Sequence, residues 1–165
     1  KDMTSAICII KKTVFSKISD FNPKYFPGED PDLFIRAKKN NLKLAYSPDI
    51  KIYHRRRASY NSFIKQIYFY GRVRPKISKH FISSVFIIPS LFVFYIVSLP
   101  ILLYINKLFL IPLGLYLILA FFSSLYESIK NKNILAFFTL PFLYLTMHIA
   151  YGIGFISGLL SKEYN

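Results

Sequence analysis

The sequence predicts an α/β segment followed by an α-helical membrane region of three spans. Three observations carry this expectation. Strand-like runs flank one short helical pattern within residues 1–58, three charge-free apolar stretches fill the second half, and a basic block separates the two. Of 165 residues 53% are apolar, including 17 Phe and 13 Tyr, and their uneven spread says more than their total.

Residues 5–10 read as a mostly apolar buried strand, followed by Lys11, Lys12 and a short segment over residues 14–18. The aromatic loop "DFNPKYFPGED" is punctuated by Pro23, Pro27 and Gly28. Glu29, Asp30 and Asp32 then place three of the chain's eight acids in four positions, within a protein of formal net charge +14. A helix start accounts for them in one way: Asp30 as N-cap, Pro31 at the first helical position and Asp32 in the first turn, where acids oppose the helix dipole. Leu33, Phe34 and Ala37 give this helix an apolar side, and Asn40 and Asn41 can end it in a left-handed conformation. Strand-like "LKLAYS" and "KIYH" follow, separated by the turn signal Pro48-Asp49.

Residues 59–80 read as a basic amphipathic interface helix and linker. Tyr60, Phe63, Ile64, Ile67, Tyr68, Tyr70 and Gly71 share a broad face, with Asn61, Lys65 and Arg72 opposite and Phe69 as the exception. The membrane region spans residues 81–161, with helices expected at about 82–105, 108–126 and 134–160 and a tail at 162–165, since a bilayer core of about 30 Å needs about 20 apolar residues. Pro89, Pro100, Pro112 and Pro141 predict kinks. Gly154 and Gly158 form a small-xxx-small step suited to close helix approach, and His148 is an ionisable group at membrane depth.

Nine of the 22 Lys and Arg lie in residues 51–79, and no acid occurs in residues 50–126. A basic block directly before a span is the positive-inside pattern and attracts anionic lipid head groups, so nucleic acid is not expected as a partner. The same rule puts residues 51–79 in the cytoplasm, Asn106-Lys107 outside, residues 127–133 inside and the tail outside. Cys8 is the sole cysteine, which leaves no disulfide framework and no cysteine metal site. The chain opens inside a strand-like run with no signal peptide before it, the pattern expected of a C-terminal piece of a longer protein.

The ordered series in "PGEDPDLFIRAKKNNLKLAYSPDIKIYHRRRASYNSFIKQIYFYGRVR" resembles membrane-attached family 2 glycosyltransferases: Gly-Glu-Asp, then Asp-Leu and Arg, Tyr-x-Pro-Asp, Tyr-His-x-Arg-Arg, and a Phe/Gln/Tyr-Gly-Arg helix. The upstream "SAICIIKKTVFSKISDFNPKYF" and the closing "MHIAYGIGFISGLL" look similar to the same family. The resemblance implies the C-terminal half of a GT-A type nucleotide-sugar-binding domain with a mixed sheet. The uridine-binding strand ends and the Asp-x-Asp metal motif would lie in the other half.

By that resemblance Asp30 is the general base of an inverting transfer to a lipid-linked or membrane-associated acceptor. Glu29 orients the acceptor or Asp30 itself, and Gly28 belongs to the same substrate-binding turn. His54 completes an Mg²⁺ or Mn²⁺ site or meets the diphosphate, Arg56 and Arg57 bind phosphate, and Arg55 faces the lipid surface. Ser19-Asp20 stands where two glycines are common, and Asn22 where Asp is common. Phe69 and Tyr70 replace the arginine and tryptophan of the Gln-x-x-Arg-Trp motif of processive synthases, so single-sugar transfer is expected. Partners would be a nucleotide-sugar donor, the acceptor and membrane lipids; a homo-oligomer is compatible. A non-catalytic anchoring or assembly module, or a transporter fragment, is the alternative. A transporter would be expected to place paired charges in its spans, whereas only His148 is ionisable there.

Overall fold

A computed structural model describes residues 8–49, 59–77 and 84–161, and within them every regular element is helical. The elements are α1 (Lys12–Ile18), α2 (Glu29–Lys39), α3 (Tyr60–Ile77), α4 (Ile88–Ile105), α5 (Ile111–Lys130) and α6 (Ile134–Leu160). Short 3₁₀ turns occur at Pro23–Tyr25, Ser84–Phe86 and Lys107–Leu110.

The α/β expectation and its mixed sheet are therefore overturned. Residues 42–47 form no strand among the described residues, and Ile9 is 90% and Tyr46 81% exposed. A strand needs a neighbour to satisfy its N–H and C=O groups, and no described segment pairs with either run. The apolar runs were real, but β structure is a property of two segments and not of one. Residues 5–7 and "KIYH" lie outside the described residues.

The small first layer packs α1 against α2. Ile18, Leu33 and Ala37 are buried together, with Ile10, Val14, Phe15 and Leu42 around them; Leu33 and Ala37 stand one turn apart and so face α1 jointly. Helix α2 ends as expected: Asn41 has φ 55°, Asn41 N–H donates to Lys38 O at 3.1 Å, and Leu42 N–H donates to Ala37 O at 3.0 Å. These two bonds are the Schellman pattern, and Asn tolerates the left-handed position.

The second layer holds α3 along α6. Tyr60 stacks on Phe142 and its hydroxyl meets Thr146 Oγ1 at 2.8 Å; Tyr68 OH donates to Ser157 Oγ at 3.0 Å; Lys76 Nζ donates to Ser161 Oγ at 2.6 Å. Residue numbers rise together in these pairs, so the helices run in the same direction. Close approach needs glycine at three positions: a Cβ on Gly71 would fall on the Tyr151 carbonyl oxygen, on Gly154 on that of Tyr68, and on Gly158 on that of Arg72.

Three helices are long and apolar enough to cross a membrane: Ile88–Ile105, Lys107–Lys130 with its leading 3₁₀ turn, and Ile134–Leu160, with mean hydropathies of 2.2, 2.3 and 1.6. Val97 is 72% and Phe138 70% exposed, an arrangement suited to lipid rather than water. Helices α5 and α6 form an antiparallel hairpin, tied by Tyr116 to His148, Phe121 to Phe137, and Ser128 Oγ to Asn133 O at 2.9 Å. Pro89 and Pro112 sit in the first two positions of their helices, where no backbone bond is lost, so these two start helices instead of kinking them.

Candidate functional site

The start of α2 is set two residues earlier than the sequence pattern suggests. Gly28 is the N-cap, Glu29 the first helical residue and Asp30 the second, with no side-chain cap. Gly28 N–H donates to the Tyr25 carbonyl and Gly28 O accepts from Asp32 N–H at 3.2 Å. The reason is tertiary: Gly28 is buried against α3, and a Cβ there would meet Val73 Cγ1 at 2.8 Å and would overlap Ile77 Cδ1. Pro31 still falls within the first turn, whose N–H groups need no intrahelical acceptor.

Glu29 and Asp30 are both half-buried. Glu29 Oε2 is a buried oxygen with no hydrogen-bond partner among the described residues. Asp30 lies close enough to Cys8 to act on it: loss of hydration first, and the Asp30 carboxylate second, push the Cys8 thiol up. A raised thiol pKa keeps Cys8 protonated near neutral pH, so it is not an activated nucleophile.

The third acid has a different task. Asp32 Oδ2 accepts from Arg36 Nε at 2.8 Å. The same guanidinium donates to the carbonyls of Ile18, of Ser19 at 3.2 Å and of Asp20 at 2.9 Å, where α1 has run out of intrahelical donors. Arg36 thereby joins α2 to the aromatic loop. A cleft of about 490 Å³ opens beside this knot, lined by Phe21, Asn22, Tyr25, Asp32 and Arg36 among others, and Asp30 does not line it. The (i, i+4) spacing of Asp32 and Arg36 could have suggested the pair; nothing in the sequence pointed to its carbonyl partners.

Gly28, Glu29 and Asp30 thus come together at one helix start. His54, Arg55, Arg56 and Arg57 lie outside the described residues. Among the described residues no three His, Cys, Asp or Glu side chains assemble as a metal site, so the geometry of the acid cluster does not fit a metal by itself. His148 finds its partners within the bundle: Nδ1 is 2.7 Å from Tyr144 O and 3.1 Å from Tyr116 OH, with Phe92 edge-on. Comparison with protein-family models, with curated proteins and with solved structures finds no match.

Proposed function

We propose that the chain is part of a membrane-bound inverting glycosyltransferase. It would pass a sugar from a nucleotide-sugar donor to a lipid-linked or membrane-associated acceptor in cell-envelope glycan synthesis, with its acid-bearing segment in the cytoplasm. The observation that carries the reading is the placement of Glu29 and Asp30. They open a helix that is seated through Gly28 on α3, and α3 is packed along a helix of membrane-spanning length. The ordered motif series from Gly28 to Arg74 adds its support.

In this reading Asp30 takes the proton of the acceptor hydroxyl while that oxygen attacks the anomeric carbon. The bond to the leaving diphosphate breaks with its electron pair, and configuration inverts. A carboxylate serves as base when it can reach the hydroxyl directly, and removal of such a base costs about 10²–10⁴-fold in rate. Glu29 would orient the acceptor, and His54, Arg56 and Arg57 would meet the developing negative charge of the diphosphate. Mg²⁺ or Mn²⁺ would supply further charge there when bound; its ligands are not assembled among the described residues, and no step here depends on it.

The test is sugar transfer from a panel of nucleotide sugars by the full-length, membrane-embedded protein of which the chain is part, and by its Asp30→Asn variant. The expected result is transfer by the wild type and a loss of about 10²-fold or more in the variant, with the protein still folded. Near wild-type transfer by Asp30→Asn would remove Asp30 from the chemistry. A wild type that uses no donor would favour the anchoring or assembly module, a reading to which the structural commitment of Asp32 to Arg36 lends some weight.

A further inference from the structure

Three crossings separate residues 51–79 from the tail in the topology expected from charge, which sets the tail across the membrane from the acids. The packing of α3 brings them together. Gly28, ahead of Glu29 and Asp30, lies against Val73 and Ile77 in the last turns of α3. Those same turns reach the end of α6: the Arg72 carbonyl abuts Gly158, and Lys76 Nζ holds Ser161 Oγ at the C-terminal cap. The pairing of Tyr60 with Phe142, Tyr68 with Ser157 and Lys76 with Ser161 fixes the direction at three levels, so α3 cannot be turned end for end.

Helix length and charge agree with this arrangement. The 27 residues of α6 extend about 40 Å, about 10 Å more than the hydrocarbon core. Arg72, Arg74 and Lys76 of α3 lie along its C-terminal end, and cations are costly at hydrocarbon depth, so this is the end that emerges among the head groups. Arg74 stacks over the Phe86 ring at 3.6 Å in the same layer.

We propose that the acid-bearing start of α2 and the C-terminal end of α6 face the same membrane leaflet, so that a lipid-anchored acceptor meets Asp30 at that leaflet. The acceptor half rests on the transferase reading; the shared leaflet does not. An even number of crossings then lies between them. The α5–α6 hairpin makes two. Helix α4 enters and leaves on the shared side: it begins level with Gly152, past the middle of α6, where Ser90 Oγ donates to Gly152 O at 3.4 Å. Farther along, its Tyr95 OH donates to Phe109 O at 2.6 Å and accepts from Leu113 N–H at 3.2 Å, at the start of α5. Asn106-Lys107 therefore belongs to the shared side as well.

The test uses the full chain in its membrane, with Cys8→Ser as background and single cysteines at Lys24→Cys, Lys107→Cys, Lys130→Cys and Glu163→Cys, labelled with a membrane-impermeant maleimide. The expected result is that positions 24, 107 and 163 label from one side and position 130 from the other. Labelling of 24 and 163 from opposite sides would overturn the proposal. A Lys76→Cys/Ser161→Cys pair checks the register independently: because a lysine arm now spans the gap, a short bifunctional thiol cross-linker should join the two cysteines, and failure to do so in a chain that still inserts would also count against it. Neither readout involves sugar transfer, so an inactive transferase would leave the shared leaflet standing, and an active one would not rescue it.

Discussion

Asp30 and Asp32 are two residues apart and have unlike surroundings. Asp32 spends its carboxylate on Arg36, which also serves three carbonyls at the end of α1 and in the following loop. Arg36→Ala should cost about 1.5–3 kcal/mol, the range for hydrogen bonds to charged groups, and should speed hydrogen exchange across residues 12–20. Asp30 instead acts on Cys8. Loss of hydration raises the thiol pKa first and the Asp30 carboxylate, which opposes the thiolate, adds to it, so Asp30→Asn should lower it. The alkylation rate of Cys8 against pH should accordingly shift to lower pH in the variant, and an unmoved profile would separate the two groups. Asp30 lies at the second position of α2 and so interacts with the helix dipole without capping it. Loss of its charge should cost only about 0.3–1 kcal/mol in stability, too little to mimic the loss of a catalytic base.

At the scale of elements the glycines of α3 and α6 give a contrast that can be measured. A Cβ on Gly158 would fall on the Arg72 carbonyl, whereas a Cβ on Gly114 of α5 would meet nothing. Gly158→Ala should therefore force the helices apart at a cost of about 1–3 kcal/mol and weaken the 76–161 cross-link. Gly114→Ala should stabilise α5 by up to about 1 kcal/mol through helix propensity alone. Thermal unfolding in detergent of both variants, side by side, checks the pair. The step Gly154 to Gly158 was legible in the sequence as a close-packing surface, but its partner was not. That partner is α3, whose chain position is more than eighty residues away and whose charges made it look like a surface helix.

Across the whole molecule, the membrane region is the best-read part. Helices expected at about 82–105, 108–126 and 134–160 correspond in length to α4, α5 and α6, with α4 starting later at Ile88 and α5 running on to Lys130, but in the shared-leaflet arrangement α4 returns to the side it left and only α5 and α6 cross. Glu127 and Lys130 could extend α5 because both sit near its end, where Asn131 bonds the Glu127 carboxylate at 2.9 Å and Lys130 lies over the Tyr126 ring. His148, the one ionisable side chain at depth, is held by Tyr116 across the hairpin. Tyr116→Phe should cost about 0.6 kcal/mol, the usual scale of a hydrogen bond between membrane helices, measured by reversible unfolding in mixed micelles. Sequence alone determined the helical character of α2 to α6, the membrane-spanning lengths of the last three and the left-handed stop at Asn41, because hydropathy, charge gaps and turn chemistry act within a few residues. Only the tertiary structure decided that the apolar runs at residues 8–10 and 42–47 are not strands, that Gly28 and not Asp30 caps α2, and that α3 lies along α6. Each of these depends on what a segment finds beside it after folding, and a backbone group or a missing Cβ carries no mark of its partner in the linear chain.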